Sequence, residues 1–322
     1  MLVPVLLFCV GLVLLIKGGD WFVDGATGIA HRFHIPELLI GATVVSIGTT
    51  LPEVMVSATS AVGGHGEIAY GNAIGSVICN TSLIAALTVA IRPSEVDPKT
   101  LRIPTLFFFA AAIFYSVIAY TTGFFARWVG VILLLAFVLY MAVTVKQVKN
   151  MPPVALTEEE EKAEDNPMWK DLLLLVVGAA LIAVGADFLV DNGTLIAEAL
   201  GVPESVIALT FVALGTSLPE LVTAITSLAK GHSSLSLGNI IGANLFNLVL
   251  VSGIATVLKP FTIPQDSRIF GITASLLVDI PVMLFVMAFL TLPALKRGKL
   301  SRWQGIILLA VYAAFCALQF AI

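Results

Sequence analysis

The sequence GTTLPE at Gly48–Glu53 recurs as GTSLPE at Gly215–Glu220, 167 positions later. With this shift, residues 10–93 align with 177–260 without a gap, and about a third of the aligned pairs are identical. GNAIGSVICN at 71–80 matches GNIIGANLFN at 238–247, at the same distance from the proline in each copy. The chain therefore contains an internal duplication, and the duplication decides its architecture.

The composition places both copies in a lipid bilayer. Hydrophobic residues make up 58% of the chain and charged residues only 12%, and the mean hydropathy is +1.02. A soluble domain carries about 25% charged residues. Ten apolar stretches have roughly the 17 to 25 residues that a membrane-spanning helix needs. They lie near residues 2–30, 36–62, 68–91, 103–121, 127–146, 169–200, 203–229, 234–258, 269–291 and 303–321.

Five spans per copy is an odd number, so the second copy enters the membrane from the opposite side. Such inverted repeats are typical of secondary transporters, which bind substrate where the repeats meet. The sequence predicts an all-α membrane protein of ten transmembrane helices, arranged as two inverted five-helix repeats at 1–146 and 169–322. An acidic cytoplasmic linker joins them at 147–168.

The basic residues predict the orientation. The first span lacks the basic start and cleavage site of a signal peptide, so we expect it to be a retained helix. If the N-terminus lies outside, 13 of the 17 Lys and Arg residues fall in cytoplasmic loops, as the positive-inside rule requires. Both termini are therefore expected outside.

Two acids occupy equivalent positions inside the predicted spans. Glu53 and Glu220 each follow a proline, and a carboxylate at bilayer depth costs at least about 2.5 kcal/mol, which marks both as functional candidates. Pro52 and Pro219 have no N–H to donate to the carbonyl four residues earlier. The sequence thus predicts helices broken at the midplane, which are tolerated where they line a cavity.

Every candidate ligand near these acids is an oxygen. Thr49 and Thr216 each lie four residues before a glutamate, on the same helical face. Hard cations such as Ca2+ prefer such ligands, whereas zinc or copper would prefer Cys or His, and the four histidines fall in predicted loops. The full set is Glu53, Glu220, Thr49, Thr216, Thr50, Ser217, Ser76, Asn80 and Asn247, with backbone carbonyls at Ser46 and Ala213.

Other polar residues have alternative interpretations. Asn72 and Asn239 each follow a glycine, where helix capping is an alternative role. Asp279 lies deep in the ninth span without an acidic counterpart in the first copy, so it is either a proton or ion relay or a partner of a neighbouring side chain. Asp20 and Asp24 are expected at the interface, where Lys17 either pairs with one of them or snorkels.

The two motif regions, at about 41–87 and 208–254, closely resemble the signature repeats of the calcium:cation antiporters, which include the sodium/calcium exchangers. The resemblance covers essentially the whole chain in helix count and repeat placement. It implies that Glu53, Glu220, Thr49 and Thr216 coordinate Ca2+. It also implies that Asn80 and Asn247 complete a central diamond, and that Na+ is held by Thr50, Ser217, Ser76 and the carbonyls of Ser46 and Ala213.

Three positions depart from the family pattern. Ala243 replaces a serine that many members carry, which removes one side-chain ligand of a sodium site. Val77 replaces the first Asn of a GSN sequence in the first repeat. Asn247 stands where some exchangers have an aspartate, which lowers the negative charge of the site.

The sequence therefore predicts a secondary antiporter that exchanges Ca2+ for Na+ by alternating access, with the first and sixth helices moving across a fixed core. Calcium/proton exchange and, less favoured, a cation channel are the alternatives. An intramembrane hydrolase would need a His or paired Asp residues at depth, so an enzyme is not expected. We expect a monomer in a prokaryotic inner membrane, without a cofactor or a nucleic-acid partner.

Overall fold

We describe the fold from a computed structural model, which describes residues 2–152, 167–199, 215–265 and 268–321. Within these ranges the chain is helical, and its short strands lie in loops. The helices are α1 Leu2–Arg32, α2 Glu37–Gly63, α3 Gly66–Ile91, α4 Pro98–Thr121, α5 Arg127–Lys149, α6 Met168–Ala199, α7 Leu218–Lys230, α8 Ser233–Leu258, α9 Ser275–Arg297 and α10 Arg302–Ala321.

The all-α membrane architecture is confirmed. Within the described ranges, nine helices are long and apolar enough to cross a membrane. The remaining helix, α7, is described from Leu218 onward. It corresponds to the predicted seventh span at 203–229, which begins outside the described residues. Most of the predicted linker at 147–168 also lies outside them.

The fourth span begins earlier than predicted. Helix α4 starts at Pro98, and the predicted span starts at residue 103. Asp97 caps the helix because its carboxylate accepts a hydrogen bond from the backbone N–H of Lys99 at 3.0 Å. Proline suits the first helical position, where its missing N–H costs nothing.

The ninth span begins later than predicted, because a two-residue hairpin occupies its expected start. Strand Arg268–Ile269 pairs with Ile272–Thr273. The two turn residues, Phe270 and Gly271, have φ values of 51° and 82°, as a tight hairpin turn of this kind requires. Helix α9 follows from Ser275.

Within the described ranges, short π-helical turns occur in four of the helices. π-Helical turns are rare in proteins overall, and those that occur are often found at functional sites. Helix α2 remains helical through Pro52, so its departure from α geometry lies upstream of the predicted break. The π turns are Gly41–Val45 in α2, Asn80–Ala85 in α3, Asn247–Val251 in α8 and Ser275–Asp279 at the start of α9.

The long helices α1 and α6 pack against each other with their backbones in close approach. A Cβ atom added to Gly11 would lie 2.9 Å from the carbonyl oxygen of Gly185, and one added to Gly18 would lie 2.9 Å from that of Gly178. A later residue of α1 therefore meets an earlier residue of α6, so the two helices run antiparallel. No side chain larger than hydrogen fits at these crossings.

One end of α1 is tied to the end of α7 by ion pairs. The Lys230 ammonium lies 2.7 Å from a carboxylate oxygen of Asp24 and 3.6 Å from one of Asp20. Lys230 of another helix, and not Lys17, therefore pairs with these two acids, and Lys17 is exposed. In the duplication, the position equivalent to Lys230 is Gly63, so this tie has no sequence counterpart in the first repeat.

The centre of the described fold is built on α3 and α8. Phe246 of α8 is fully buried and meets the rings of Phe137 and Tyr140 from α5 edge to face, with centroid distances of 5.1 and 6.0 Å. The Tyr140 hydroxyl donates a hydrogen bond to the carbonyl of Ala42 at 2.8 Å. A tyrosine of the core thus satisfies a backbone carbonyl inside the π turn of α2.

Candidate cation site

The first half of the candidate site lies on one face of α2. Thr49 and Thr50 lie three and four residues after Ser46, and Glu53 lies four and three residues after them, so they share one side of the helix. All four are buried. The Ser46 hydroxyl lies 2.7 and 2.9 Å from the carbonyl oxygens of Gly41 and Asn239 and donates its one proton between them. These bonds occupy its side chain and leave its own carbonyl as the candidate ligand.

The second half lies at the start of α7. Glu220 is in the first turn and is fully buried, and Ser217 precedes the helix with its hydroxyl not used as a cap. Pro219 is at one of the first helical positions, where proline is favoured. Ala213, the remaining predicted ligand of this segment, lies outside the described residues.

Asn80 and Asn247 hold equivalent places in α3 and α8. Each is the first residue of a π turn, and each is fully buried. Ser76 lies four residues before Asn80 and is also buried. The wider π turn changes which backbone carbonyls have helical partners. The Asn247 carbonyl accepts a hydrogen bond from the Ser252 hydroxyl at 3.0 Å, so the side-chain amide oxygens of the two asparagines are the candidate ligands.

Two reciprocal hydrogen bonds connect the two copies of the motif. The Thr49 hydroxyl donates to the side-chain oxygen of Asn239 at 3.1 Å, and the Thr216 hydroxyl donates to that of Asn72 at 3.3 Å. Asn72 also donates to the backbone carbonyl of Glu53 at 3.2 Å. Both asparagines lie inside their helices, so the capping alternative is wrong, and their contacts tie the two copies together.

Sequence reasoning left Asn72 and Asn239 out of the candidate site. A usable signal was present, because both follow a glycine at matching places in the duplicated motif. Their contacts run between different copies, however, and no spacing along the chain encodes such a pairing.

The predicted ligands are unusually poor in hydrogen bonds for buried groups. An unsatisfied buried polar group costs about 1–3 kcal/mol, and a charged one costs more. The two glutamate carboxylates also lie close enough to repel each other. The atoms without a hydrogen-bond partner among the described residues include both carboxylate oxygens of Glu53 and Glu220, both side-chain polar atoms of Asn80 and Asn247, and the hydroxyls of Thr50 and Ser217.

This donor set fits a hard cation. Ca2+ takes about six to eight oxygen ligands in flexible geometry, and carboxylate, amide and hydroxyl oxygens are all present. In the described part of the chain, no group of three or more His, Cys, Asp or Glu side chains could hold a metal ion. His31, which lies in the last turn of α1, and His232 instead contact Glu37, at 3.7 and 2.6 Å.

Two cavities flank the motif segments. One, of about 850 Å³, lies between α6 and the residues around both prolines, including Pro52, Gly215 and Pro219. The other, of about 480 Å³, is lined by residues of α3, α9 and α10. Thr216 lines both cavities, so the candidate site has open space on two sides.

Comparison with known proteins identifies the family. Residues 3–146 and 170–321 match the family described as "Sodium/calcium exchanger protein". This chain belongs to that family. It is a transmembrane ion antiporter, as its sequence motifs implied.

Individual relatives cover nearly all of the chain. The putative antiporter CaxA of Alkalimonas amylolytica is 36% identical, with 100% of both chains covered. The inner membrane protein YrbG of Escherichia coli is 33% identical, with 99% of this chain and 98% of the relative covered. A solved structure of the sodium-calcium exchanger NCX_Mj, soaked with Na+ and Sr2+, has a TM-score of 0.83 and 35% identity, with 98% of both chains covered.

Proposed function

We propose that this antiporter exchanges Ca2+ for Na+, and that Ca2+ binds between Glu53 and Glu220. The observation that carries the proposal is the pair of fully buried carboxylates whose oxygens have no hydrogen-bond partner among the described residues. A divalent cation neutralises both charges and supplies the missing contacts. The similar structure NCX_Mj is that of a sodium-calcium exchanger, which supports the same pair of ions.

The charge of the site explains why transport is an exchange. Two unpaired carboxylates in a buried site carry a large desolvation cost. One Ca2+, or Na+ ions in its place, removes most of that cost. The ion-loaded protein can therefore pass through an occluded state that is costly for the ion-free protein. Each return of the site across the membrane then requires a bound ion, so ions travel in both directions.

The family resemblance divides the remaining ligands between the two ions. Thr49 and Thr216 use their protons toward asparagines, at 3.1 and 3.3 Å, so their lone pairs are free to join the Ca2+ site. Asn80 and Asn247 complete it with amide oxygens. Na+ is assigned to hydroxyls and carbonyls, from Thr50, Ser217, Ser76, Ser46 and Ala213.

Two features support inverted repeats at 1–146 and 169–322, joined by the linker at 147–168. The equivalent helices α1 and α6 run antiparallel through their glycine contacts. The hydrogen bonds from Thr49 to Asn239 and from Thr216 to Asn72 are related by the same duplication. In this scheme α1 and α6 move across the core during alternating access.

We place the protein in a prokaryotic inner membrane as a monomer with both termini outside. The distribution of Lys and Arg supports this orientation. The relative YrbG is named an inner membrane protein.

Proteoliposomes test the exchange. Vesicles loaded with Na+ are diluted into Na+-free buffer, and uptake of radioactive Ca2+ is measured for wild type, Glu53→Gln and Glu220→Gln. We expect both variants to lose uptake, and Glu67→Gln, which alters an exposed acid on α3, to retain it. Unchanged uptake in both site variants would refute the assignment.

Calcium/proton exchange is the second candidate, because the same carboxylates bind protons. A pH gradient without Na+ separates the two functions, since only a proton exchanger takes up Ca2+ under that condition. Uptake that needs neither gradient would instead indicate a channel.

A further inference from the structure

The cavity of about 480 Å³ extends beyond the residues assigned to exchange. Part of its lining belongs to the candidate cation site around Glu53 and Glu220 (the central site), namely Asn72, Ser76 and Thr216. Another part is formed by Tyr70 of α3, Asp279 of α9 and Gln319 of α10. An ion held by this second group therefore shares one space with the hydroxyls of Ser76 and Thr216.

Asp279 is an acid inside a membrane-spanning helix without a basic partner. It ends the π turn Ser275–Asp279, and none of the ion pairs among the described residues includes it. The side-chain amide of Gln319 donates a hydrogen bond to its Oδ1 at 2.7 Å. That bond orients the carboxylate without neutralising it. An intramembrane carboxylate in this condition is a candidate for function.

Tyr70 provides an independent indication of a ligand. Its side chain is only 1% exposed, and its hydroxyl has no hydrogen-bond partner among the described residues. Tyr70 and Asp279 both line the cavity. A buried tyrosine hydroxyl normally finds a partner, so this oxygen is available to a bound ion.

We propose that Asp279 and Tyr70 form a second cation site, which binds one Na+ on its way between the cavity and the central site. The ligands are oxygens, as a hard cation requires. The site has a single carboxylate, which balances one positive charge, whereas the central site has two. Gln319 acts as a positioning residue.

The second site belongs to one repeat only. Helix α4, the counterpart of α9 in the first repeat, contains no acidic residue. In the proposed orientation, the start of α9 faces the outside. The site therefore serves Na+ exchange on that side of the membrane, and in this respect it rests on the proposed function.

Equilibrium binding of radioactive Na+ to the purified full chain tests the site separately from transport. The starting protein is the Glu53→Gln/Glu220→Gln double variant, in which the central acids are neutral. We expect it to retain one saturable Na+, and addition of Asp279→Asn to abolish that binding. Tyr70→Phe in the double variant should weaken it by about fivefold, the effect of about 1 kcal/mol.

Tyr115→Phe is the matched control. Tyr115 is also buried with an unpartnered hydroxyl in the described part of the chain, and its ring centroid lies 6.2 Å from that of Tyr70. It does not appear in the described lining of the cavity, so its loss should leave Na+ binding unchanged. Absence of saturable Na+ binding in the double variant, or binding indifferent to Asp279→Asn, would overturn the site.

Transport by otherwise wild-type protein provides a second measurement. Asp279→Asn should raise the Na+ concentration for half-maximal exchange by at least about fivefold and leave the half-maximal Ca2+ concentration unchanged. A change in the pH profile alone, with Na+ binding intact, would overturn the proposal in favour of a proton relay. Loss of Ca2+ exchange in Glu53→Gln and Glu220→Gln is measured in a separate experiment. A failure of the proposed function can therefore be distinguished from a failure of the second site.

Discussion

Replacing Lys230 with methionine tests how firmly α1 is held at one end. The lysine makes ion pairs of 2.7 and 3.6 Å with Asp24 and Asp20 and donates to the Asp20 carbonyl at 3.1 Å. These side chains are 27% to 51% exposed, so each pair contributes only about 0.2–1 kcal/mol. Together with the carbonyl bond, we expect a total of about 1–2 kcal/mol.

That energy corresponds to about a 5- to 30-fold change in an opening equilibrium. Hydrogen–deuterium exchange in lipid nanodiscs, followed by mass spectrometry, should show amides at the C-terminal end of α1 exchanging faster by this factor in Lys230→Met. Lys17→Met is the matched control, because Lys17 is exposed on the same helix. Concentrated choline chloride should shrink the difference, because the Debye length falls to about 3 Å at 1 M.

An acceleration below about twofold would refute the estimate of about 1–2 kcal/mol, and an equal acceleration in Lys17→Met would refute its assignment to the ion pairs. The converse substitution is Gly63→Lys, at the equivalent position of the first repeat. The counterparts of Asp20 and Asp24 are Asp187 and Asp191, which are exposed. If the repeats are inverted, Gly63→Lys should slow exchange near the end of α6, and an added Asp191→Asn should reduce that protection.

The remaining predictions concern packing and the sodium ligands. Gly18→Val forces a side chain against the Gly178 carbonyl, an overpacking cost of about 1–3 kcal/mol, and should lower the melting temperature in detergent by about 3–10 °C; an unchanged value would contradict the close contact. Ala243→Ser restores a hydroxyl that many family members carry, and should lower the half-maximal Na+ concentration by about fivefold without altering that of Ca2+. Tyr140→Phe removes the donor to the Ala42 carbonyl, and thermal unfolding should report a loss of about 1–2 kcal/mol; full stability would show that another donor replaces it.

The membrane spans could be predicted because they depend on local properties of the chain. A run of apolar residues must be helical in lipid wherever it lies. The start of α9 was misplaced because the turn at Phe270 and Gly271 lies within residues apolar enough to count as part of the span. Positive φ values at both turn residues decide that hairpin, and hydropathy carries no information about them.

The site could be predicted only as two separate halves. The duplication identified Glu53 and Glu220 without any coordinates, because equivalent acids after equivalent prolines are improbable by chance. The contacts of Asn72 and Asn239, like those of Lys230, depend on which helices meet in space. Their partners lie in the opposite repeat, so these contacts could not be predicted from spacing along the chain.

The glycine contacts of α1 and α6 have a mechanical consequence for an alternating-access protein. Because the backbones touch at Gly11 and Gly185 and again at Gly18 and Gly178, the pair has little room to bend or separate and behaves as one stiff rod. A movement of the helix pair at one face of the membrane then moves its other end at the opposite face at the same time. In the proposed alternating-access mechanism, such a rod would open one entrance only by closing the other, which would prevent an uncoupled leak of Ca2+.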